Sequence, residues 1–238
     1  MVNRNIKRDS NPAISVNILG ITPLDFSVNG SAESIKELLI TNGFNIISNW
    51  AMGSTLEEIK DSGRANVNLV VSYSGIPAAK ALYEIFGTPY VVGTPIGEAL
   101  SAKISEKLKY SAEIGEVIIS YEQRDTSDSN DIVIIGESVF SESLAFALTD
   151  EYRKNVKVIC PLETSHSLML IDEPVAQDED DLIPYLKRAK VVIADPMYCP
   201  ICPESVQFIS LPHEAFSGRI YRNDIPNIIG SRFLSWKF

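Results

Sequence analysis

The 238-residue chain is 45% hydrophobic and 22% charged, the balance of a globular protein with a buried core. Its net charge of −10 repels phosphate backbones and anionic membranes, so neither nucleic acid nor a membrane is an expected partner; no run reaches the roughly 18 apolar residues of a membrane helix. Three cysteines, Cys160, Cys199 and Cys202, are too few for a disulfide scaffold and, with a polar N-terminus lacking an apolar signal core, point to a reducing cytoplasmic setting.

Residues 1–13 read as a tail. Ser15 to Gly20 is a β-rich run ending in glycine. After a loop through Thr22 and Asp25, Ser31 sits where an N-cap belongs, Ile35, Leu38 and Leu39 recur at helical spacing, and Gly43 stops the helix. Phe44 to Ile47 is a second strand. Ser54-Thr55-Leu56-Glu57 has capping-box spacing and opens a short helix ending near Gly63. Val67 to Ser72 is a third strand whose apolar run suits burial on both faces. Gly75 to Phe86 is a helix with Pro77 in its first turn, and Pro89 to Gly93 a fourth strand. This alternation predicts βαβ units with right-handed crossovers and one parallel sheet.

Pro95 to about Tyr121 reads as one long helix with an apolar face from Ala99 to Ile118, and the polar residues 124–130 as a boundary. The pattern then restarts: strands over Ile132–Gly136, Val156–Cys160, Val191–Ala194 and Val206–Ile209, with helices over Ser138–Arg153 and around Leu182–Leu186. The acidic run from Asp172 to Asp181 reads as a solvated loop and helix start, or as a dock for a basic partner. Residues 212–238, with Phe216, Phe233, Trp236 and Phe238, are expected to pack back on the body or to form an interface. The expectation is an α/β chain of two Rossmann-like parallel-sheet units joined by a long helix, divided as tail 1–13, first unit 14–123 and second unit with C-terminal segment 131–238.

Ligands of open parallel sheets bind beyond the carboxyl ends of the strands. The post-strand loops supply Thr22, Trp50, Ser72, Tyr73, Ser74 and Thr94 as candidate cofactor-binding residues. Neither glycine-ended first strand continues into G-x-G-x-x-G, so NAD is not expected. Cys199-Pro200-Ile201-Cys202 can chelate a metal or close a disulfide; a four-ligand site needs two more donors, from Cys160, His213, His166 or another chain. His213 reads either as a backbone-bonded, partly buried histidine or as a ligand or proton donor facing the cleft. Trp50 can wall a pocket or pack in the core. No catalytic residue is assigned, since neither a G-x-S-x-G elbow nor H-E-x-x-H occurs.

Several segments together resemble nitrogenase component 1-type oxidoreductases. They are Val16-Asn17-Ile18-Leu19-Gly20 with Glu33, Lys36, Leu38 and Leu39; Gly53 to Ile59 with Asn68-Leu69-Val70; Ala78-Ala79-Lys80, Leu82, Glu84, Phe86-Gly87, Pro89-Tyr90 and Pro95-Ile96-Gly97; and His213 with Ser217-Gly218-Arg219 and Tyr221. The resemblance covers roughly residues 14–225. It implies a subunit or fragment that binds a metallocluster, such as an iron–sulfur cluster, or a tetrapyrrole-like ligand in the inter-domain cleft. It also implies pairing with a related chain as a homo- or hetero-oligomer, and electrons from an ATP-dependent iron–sulfur reductase. The family's N-terminal cluster-cysteine domain has no counterpart here. The place of the cofactor-anchoring cysteine falls near Val71 and Ser72, while the cofactor-holding histidine matches His213. Dinitrogen reduction is therefore not expected, and the alternative is a non-catalytic assembly or ligand-binding scaffold.

Overall fold

The computed structural model describes residues 13–121, 131–169 and 178–237. Two sheets form, and every pairing in them is parallel. The first contains β1 (Ser15–Leu19), β2 (Asn45–Asn49), β3 (Val67–Val70), β4 (Tyr90–Val92) and β5 (Ile118–Ile119), in the order β2-β1-β3-β4-β5. Its helices are α1 (Pro23–Phe26), α2 (Ser31–Thr41), α3 (Leu56–Lys60), α4 (Ile76–Phe86) and α5 (Glu98–Ile114). The second contains β6 (Ile132–Ile135), β7 (Val156–Ile159), β8 (Val191–Ala194) and β9 (Gln207–Ser210), in the order β7-β6-β8-β9, with α6 (Ser138–Tyr152), α7 (Ile183–Leu186) and α8 (Glu214–Ser217). The expected α/β fold of two parallel-sheet units is what forms. β1, β3 and β6 are buried along their whole length, as strands covered on both faces are, and the asparagines inside β1 and β3 are paired, Asn17 Nδ2 donating to Asn68 Oδ1 at 2.7 Å.

Local differences from the sequence reading have local causes. The helix expected to run to Tyr121 stops at Ile114. Gly115 takes φ +80 there and returns its N–H to Ser111 O, a left-handed cap that an L side chain adopts at a cost. Ile118 and Ile119 then pair with β4 as an edge strand. The capping box falls one residue later than expected: Thr55 accepts from Glu58 N while the Glu58 carboxylate accepts from Thr55 N. Gly30, not Ser31, is the cap of α2, and Ser31 is its first residue. The proposed boundary at 124–130, the tail up to residue 12, Asp172 to residue 177 of the acidic run, and Phe238 lie outside the described residues.

α6 joins the two units. Ser138, Val139, Ser141, Glu142, Ser143, Leu144, Ala145, Ala147 and Leu148 are all buried, more of the helix than one packed face supplies. Val139 packs with Leu19, Val70 and Leu82 of the first unit. Leu144, Ala145 and Leu148 pack with Ile132, Ile134 and Val158 of the second. Thr94 N donates to Ser143 Oγ at 2.9 Å, and Lys103 Nζ of α5 lies 4.9 Å from the centre of the Phe146 ring.

The C-terminal segment packs back on the body. Asn227 Nδ2 donates to Ser34 Oγ at 2.8 Å, and Gly230 N donates to Pro95 O at 2.8 Å. Phe233 is fully buried beside Ile96 and Leu144, with Tyr152 and Trp236 edging its ring.

Where β1 and β3 end, two backbones cross at contact. A Cβ on Gly75 would lie 2.7 Å from the Leu19 carbonyl carbon; one on Gly20, which sits at φ +86, would lie 2.7 Å from Ser72 Oγ and 2.9 Å from Gly75 N. Neither clash can be relieved by rotating a long side chain. Gly75→Ala is expected to lower stability by about 2 kcal/mol, and Gly20→Ala by more, because strain at φ adds to the clash. Urea unfolding curves of the two variants against the wild type check this.

Candidate functional site

The loops after β1, β6, β8 and β9 meet between the sheets, around a cavity of about 30 Å³ bordered by Asp25, Glu137, Phe140, Asp195, His213 and Ile229. That volume admits a water molecule and excludes an organic ring system.

Glu137 follows β6 directly and caps α6. Its Oε1 accepts from Val139 N at 2.9 Å and from Tyr73 N, on the first unit, at 2.7 Å; its Oε2 accepts from Phe140 N at 2.8 Å. Burial pushes the carboxyl up to about 7, with Asp25 adding to the rise and the three backbone N–H groups opposing it. Asp25 gathers hydroxyls: Thr22 Oγ1 at 2.7 Å, Ser74 Oγ at 2.8 Å and Ser72 Oγ at 3.1 Å all meet its Oδ2. Its Oδ1 lies 3.7 Å from His213 Nε2 across the unit boundary.

His213 caps α8 by accepting from Ala215 N at Nδ1, 3.2 Å away. That bond assigns the neutral tautomer with its proton on Nε2, facing Asp25. Burial lowers the imidazole's pKa, against the pull of Asp25, Asp195 and Glu214. Asp195 fixes the histidine's backbone: its Oδ2 accepts from His213 N at 2.8 Å and from Ser217 Oγ at 2.7 Å, while Oδ1 accepts from Met197 N at 2.9 Å. Glu214 forms a two-pronged pair with Arg222, both bonds 2.7 Å, and accepts from Ser27 Oγ of the first unit. The Arg222 guanidinium holds its carboxyl down at about 2.

The structure brings together most of the residues chosen from sequence. Thr22, Ser72 and Ser74 surround Asp25, Tyr73 reaches Glu137 through its backbone N–H, and His213 sits opposite. Thr94 is buried one step away, its hydroxyl donating to Val71 O at 2.7 Å. Trp50 lies elsewhere: its indole N–H donates to Ser62 Oγ at 2.8 Å, and its ring packs on the cluster containing Leu19 and Leu82. Cys199 is exposed, Cys202 is half-buried, and neither borders the cavity. Asp25 was missed as a site residue, and Glu137 and Asp195, which fall in post-strand loops of the expected rim, were assigned no role. Their signal is positional: each follows a strand and supplies or supports a helix cap, as in Thr22-x-x-Asp25 and Asp195-Pro196.

A cluster held within one chain does not fit these residues. Among the described residues no three His, Cys, Asp or Glu side chains converge as metal ligands. Cys160 is fully buried, its Sγ donates to Leu162 O at 3.5 Å, and burial pushes its thiol up to about 11.

The family model for nitrogenase component 1 type oxidoreductases matches residues 1–137. A subunit of the light-independent protochlorophyllide reductase of Leptolyngbya boryana is 34% identical over 109 residues, which are 45% of this chain and 22% of that protein. Its counterpart in Nostoc punctiforme is 31% identical over 109 residues, with the same shares. The match thus spans about a fifth of these relatives' length. The solved structure "Nitrogenase Cp1 at pH 5" shares the fold, with a TM-score of 0.54 at 13% identity over 93% of this chain and 55% of that one.

Glu137 and Glu214 give stability opposite pH slopes. Glu137, raised from 4.5 to about 7, binds a proton more tightly folded than unfolded, so its contribution falls as pH rises from about 4.5 to 7, by on the order of 3 kcal/mol. Glu214, lowered to about 2, contributes stability that is present above about 4.5 and lost as pH falls towards 2. Urea unfolding from pH 3 to 8 is expected to lose the first slope in Glu137→Gln and the second in Glu214→Gln.

Proposed function

The chain belongs to the nitrogenase component 1 type oxidoreductase family, and we propose that it is a ligand-holding core of such an oxidoreductase, closing its two sheets on a tetrapyrrole-like substrate at the Asp25–His213 junction. One observation carries this reading. The carboxyl ends of two separate parallel sheets meet at a junction where Asp25, on one, faces the Nε2–H of His213, on the other. Reducing a conjugated ring requires protons as well as electrons. His213 holds a proton at Nε2, and Glu137, titrating near 7, holds another near neutral pH. The relatives named as protochlorophyllide reductase subunits support the substrate class.

A ring system enters only when the units part, because the closed cavity holds about 30 Å³. Among the bonds that cross the boundary, those that yield at the junction are Tyr73 N to Glu137 and Ser27 to Glu214. Electrons come from a separate iron–sulfur reductase, the chain works beside a related subunit, and dinitrogen is not its substrate. The working compartment is the cytoplasm; among the described residues no helix is long and apolar enough to cross a membrane.

Anaerobic titration with protochlorophyllide tests the reading. The expected result is saturable 1:1 binding, a shifted visible absorption band and a raised unfolding temperature. Asp25→Asn and His213→Ala should each weaken binding about tenfold, the scale of one lost hydrogen bond to a charged group, with unchanged circular dichroism. Absence of binding, or binding indifferent to both substitutions, overturns it. Binding without turnover when the reductase is supplied identifies a carrier instead of an enzyme.

A further inference from the structure

We propose that Ser27 is a positioning residue: through its bond to Glu214 it registers α1, which carries Asp25, against α8, which begins beside His213. The inference deepens the reading of the Asp25–His213 junction as the ligand site and rests on that reading.

The backbone gives the first sign. Ser27 ends α1 at φ +56 and ψ −157. That lies at the edge of a region populated essentially by glycine alone, because a Cβ there crowds the neighbouring carbonyl. Three residues on, Gly30 takes φ +85 with the freedom such a conformation asks for. Glycine at 27 would serve the chain path as well. What glycine does not supply is the hydroxyl.

That hydroxyl is engaged across the boundary between the units. Ser27 is 2% exposed, and its Oγ donates to Glu214 Oε1 at 2.5 Å. Glu214 is not free to follow a moving partner. Its side chain is 3% exposed, and Arg222 clamps both of its oxygens at 2.7 Å. A hydrogen bond to a fixed carboxylate contributes on the scale that the glycine-only conformation costs. The strain at Ser27 persists because this bond holds it.

Placement connects the bond to the site. Asp25 lies two residues before Ser27 in a single turn, closed by Phe26 N to Thr22 O and Ser27 N to Pro23 O, both 3.0 Å. His213 directly precedes Glu214 and caps α8. The hydroxyls of Thr22, Ser72 and Ser74 orient the Asp25 carboxylate, but all three belong to the first unit and fix it relative to their own sheet. The Ser27–Glu214 bond ties the same turn to the element that presents the imidazole. It thereby sets the 3.7 Å separation of Asp25 Oδ1 and His213 Nε2. Asn29 Nδ2 adds a tie in the same direction, donating to Pro226 O at 3.0 Å.

Ser27→Ala and Ser27→Gly test the role in the full chain. Alanine keeps the strain and loses the hydroxyl; glycine loses both. The urea midpoint is expected to fall in Ser27→Ala and to stay near the wild type in Ser27→Gly, where relief of strain offsets the lost bond. In Ser27→Gly the amides of Phe26 and residue 27 are expected to exchange hydrogen faster by about tenfold, the scale of one hydrogen bond, while β1 and β3 keep their wild-type rates. The Nε2 nitrogen signal of His213, one of only two histidines, is read with the imidazole neutral. In both variants it is expected to move towards its position in Asp25→Asn. Wild-type exchange of the α1 amides in Ser27→Gly, or an unmoved His213 signal, overturns the proposal, since a residue serving stability alone shifts only the urea midpoint. If Ser27→Ala does not fold, the strain-free Ser27→Gly carries the test. Every measurement is made without ligand, so the positioning role is decided whether or not protochlorophyllide binds.

Discussion

The architecture depends on α6, a helix that both sheets need and neither can cover alone. Each unit contributes part of its wall, so the buried part of α6, from Ser138 to Leu148, is covered only when both are in place. Val139 on one side and Leu144 and Leu148 on the other are fully buried, each worth about 1.5–3 kcal/mol relative to exposure. The serines along it, Ser138, Ser141 and Ser143, keep the packed faces thin. Ser143 returns its hydroxyl to Val139 O at 2.7 Å, so it buries no unpaired proton. Glu137 completes the arrangement by capping α6 and taking a backbone N–H from the other unit with the same carboxylate.

That sharing explains the chemistry at the junction. Asp25, Glu137 and Asp195 are held mainly by backbone N–H and hydroxyl donors, which stabilise an anion without neutralising it. The Glu214–Arg222 pair is the contrasting case, in which a guanidinium balances the charge. Glu137 lies in a small volume beside a neutral histidine, and burial gives it a proton affinity that an ordinary ion-paired carboxylate lacks.

Much of the fold was legible because near-continuous apolar runs such as Val67–Val70, broken by Asn68 alone, and Ile132–Ile135 reflect burial on two faces, a strong and local signal. The end of α5 was misread because Val117 and Ile118 continue the apolar spacing, while Gly115, the residue that stops the helix, also occurs inside helical patterns. The site was half legible. Counting loops after strands finds Ser72, Ser74 and His213. It does not find Asp25 as their common partner, because a bond spanning 47 residues from Ser72 to Asp25 exists only after β1 and β3 are paired. Trp50 occupies the right kind of loop, but its partner Ser62 draws it into its own layer. A family likeness carried by Ala78 to Gly97 speaks to the sheet and helix framework, and leaves these side-chain choices open.

The return of the C-terminal segment affects how the protein is made. Ile229 completes the apolar cluster around Val16, Ile35 and Leu100, and Ile96 pairs with Ile229 and Gly230. During synthesis the first sheet emerges early, yet part of its apolar surface stays bare until residues 228–233 have left the ribosome. At roughly 5–20 residues per second, that is an interval of many seconds in which the nascent chain shows a sticky flank, a natural landing place for a chaperone.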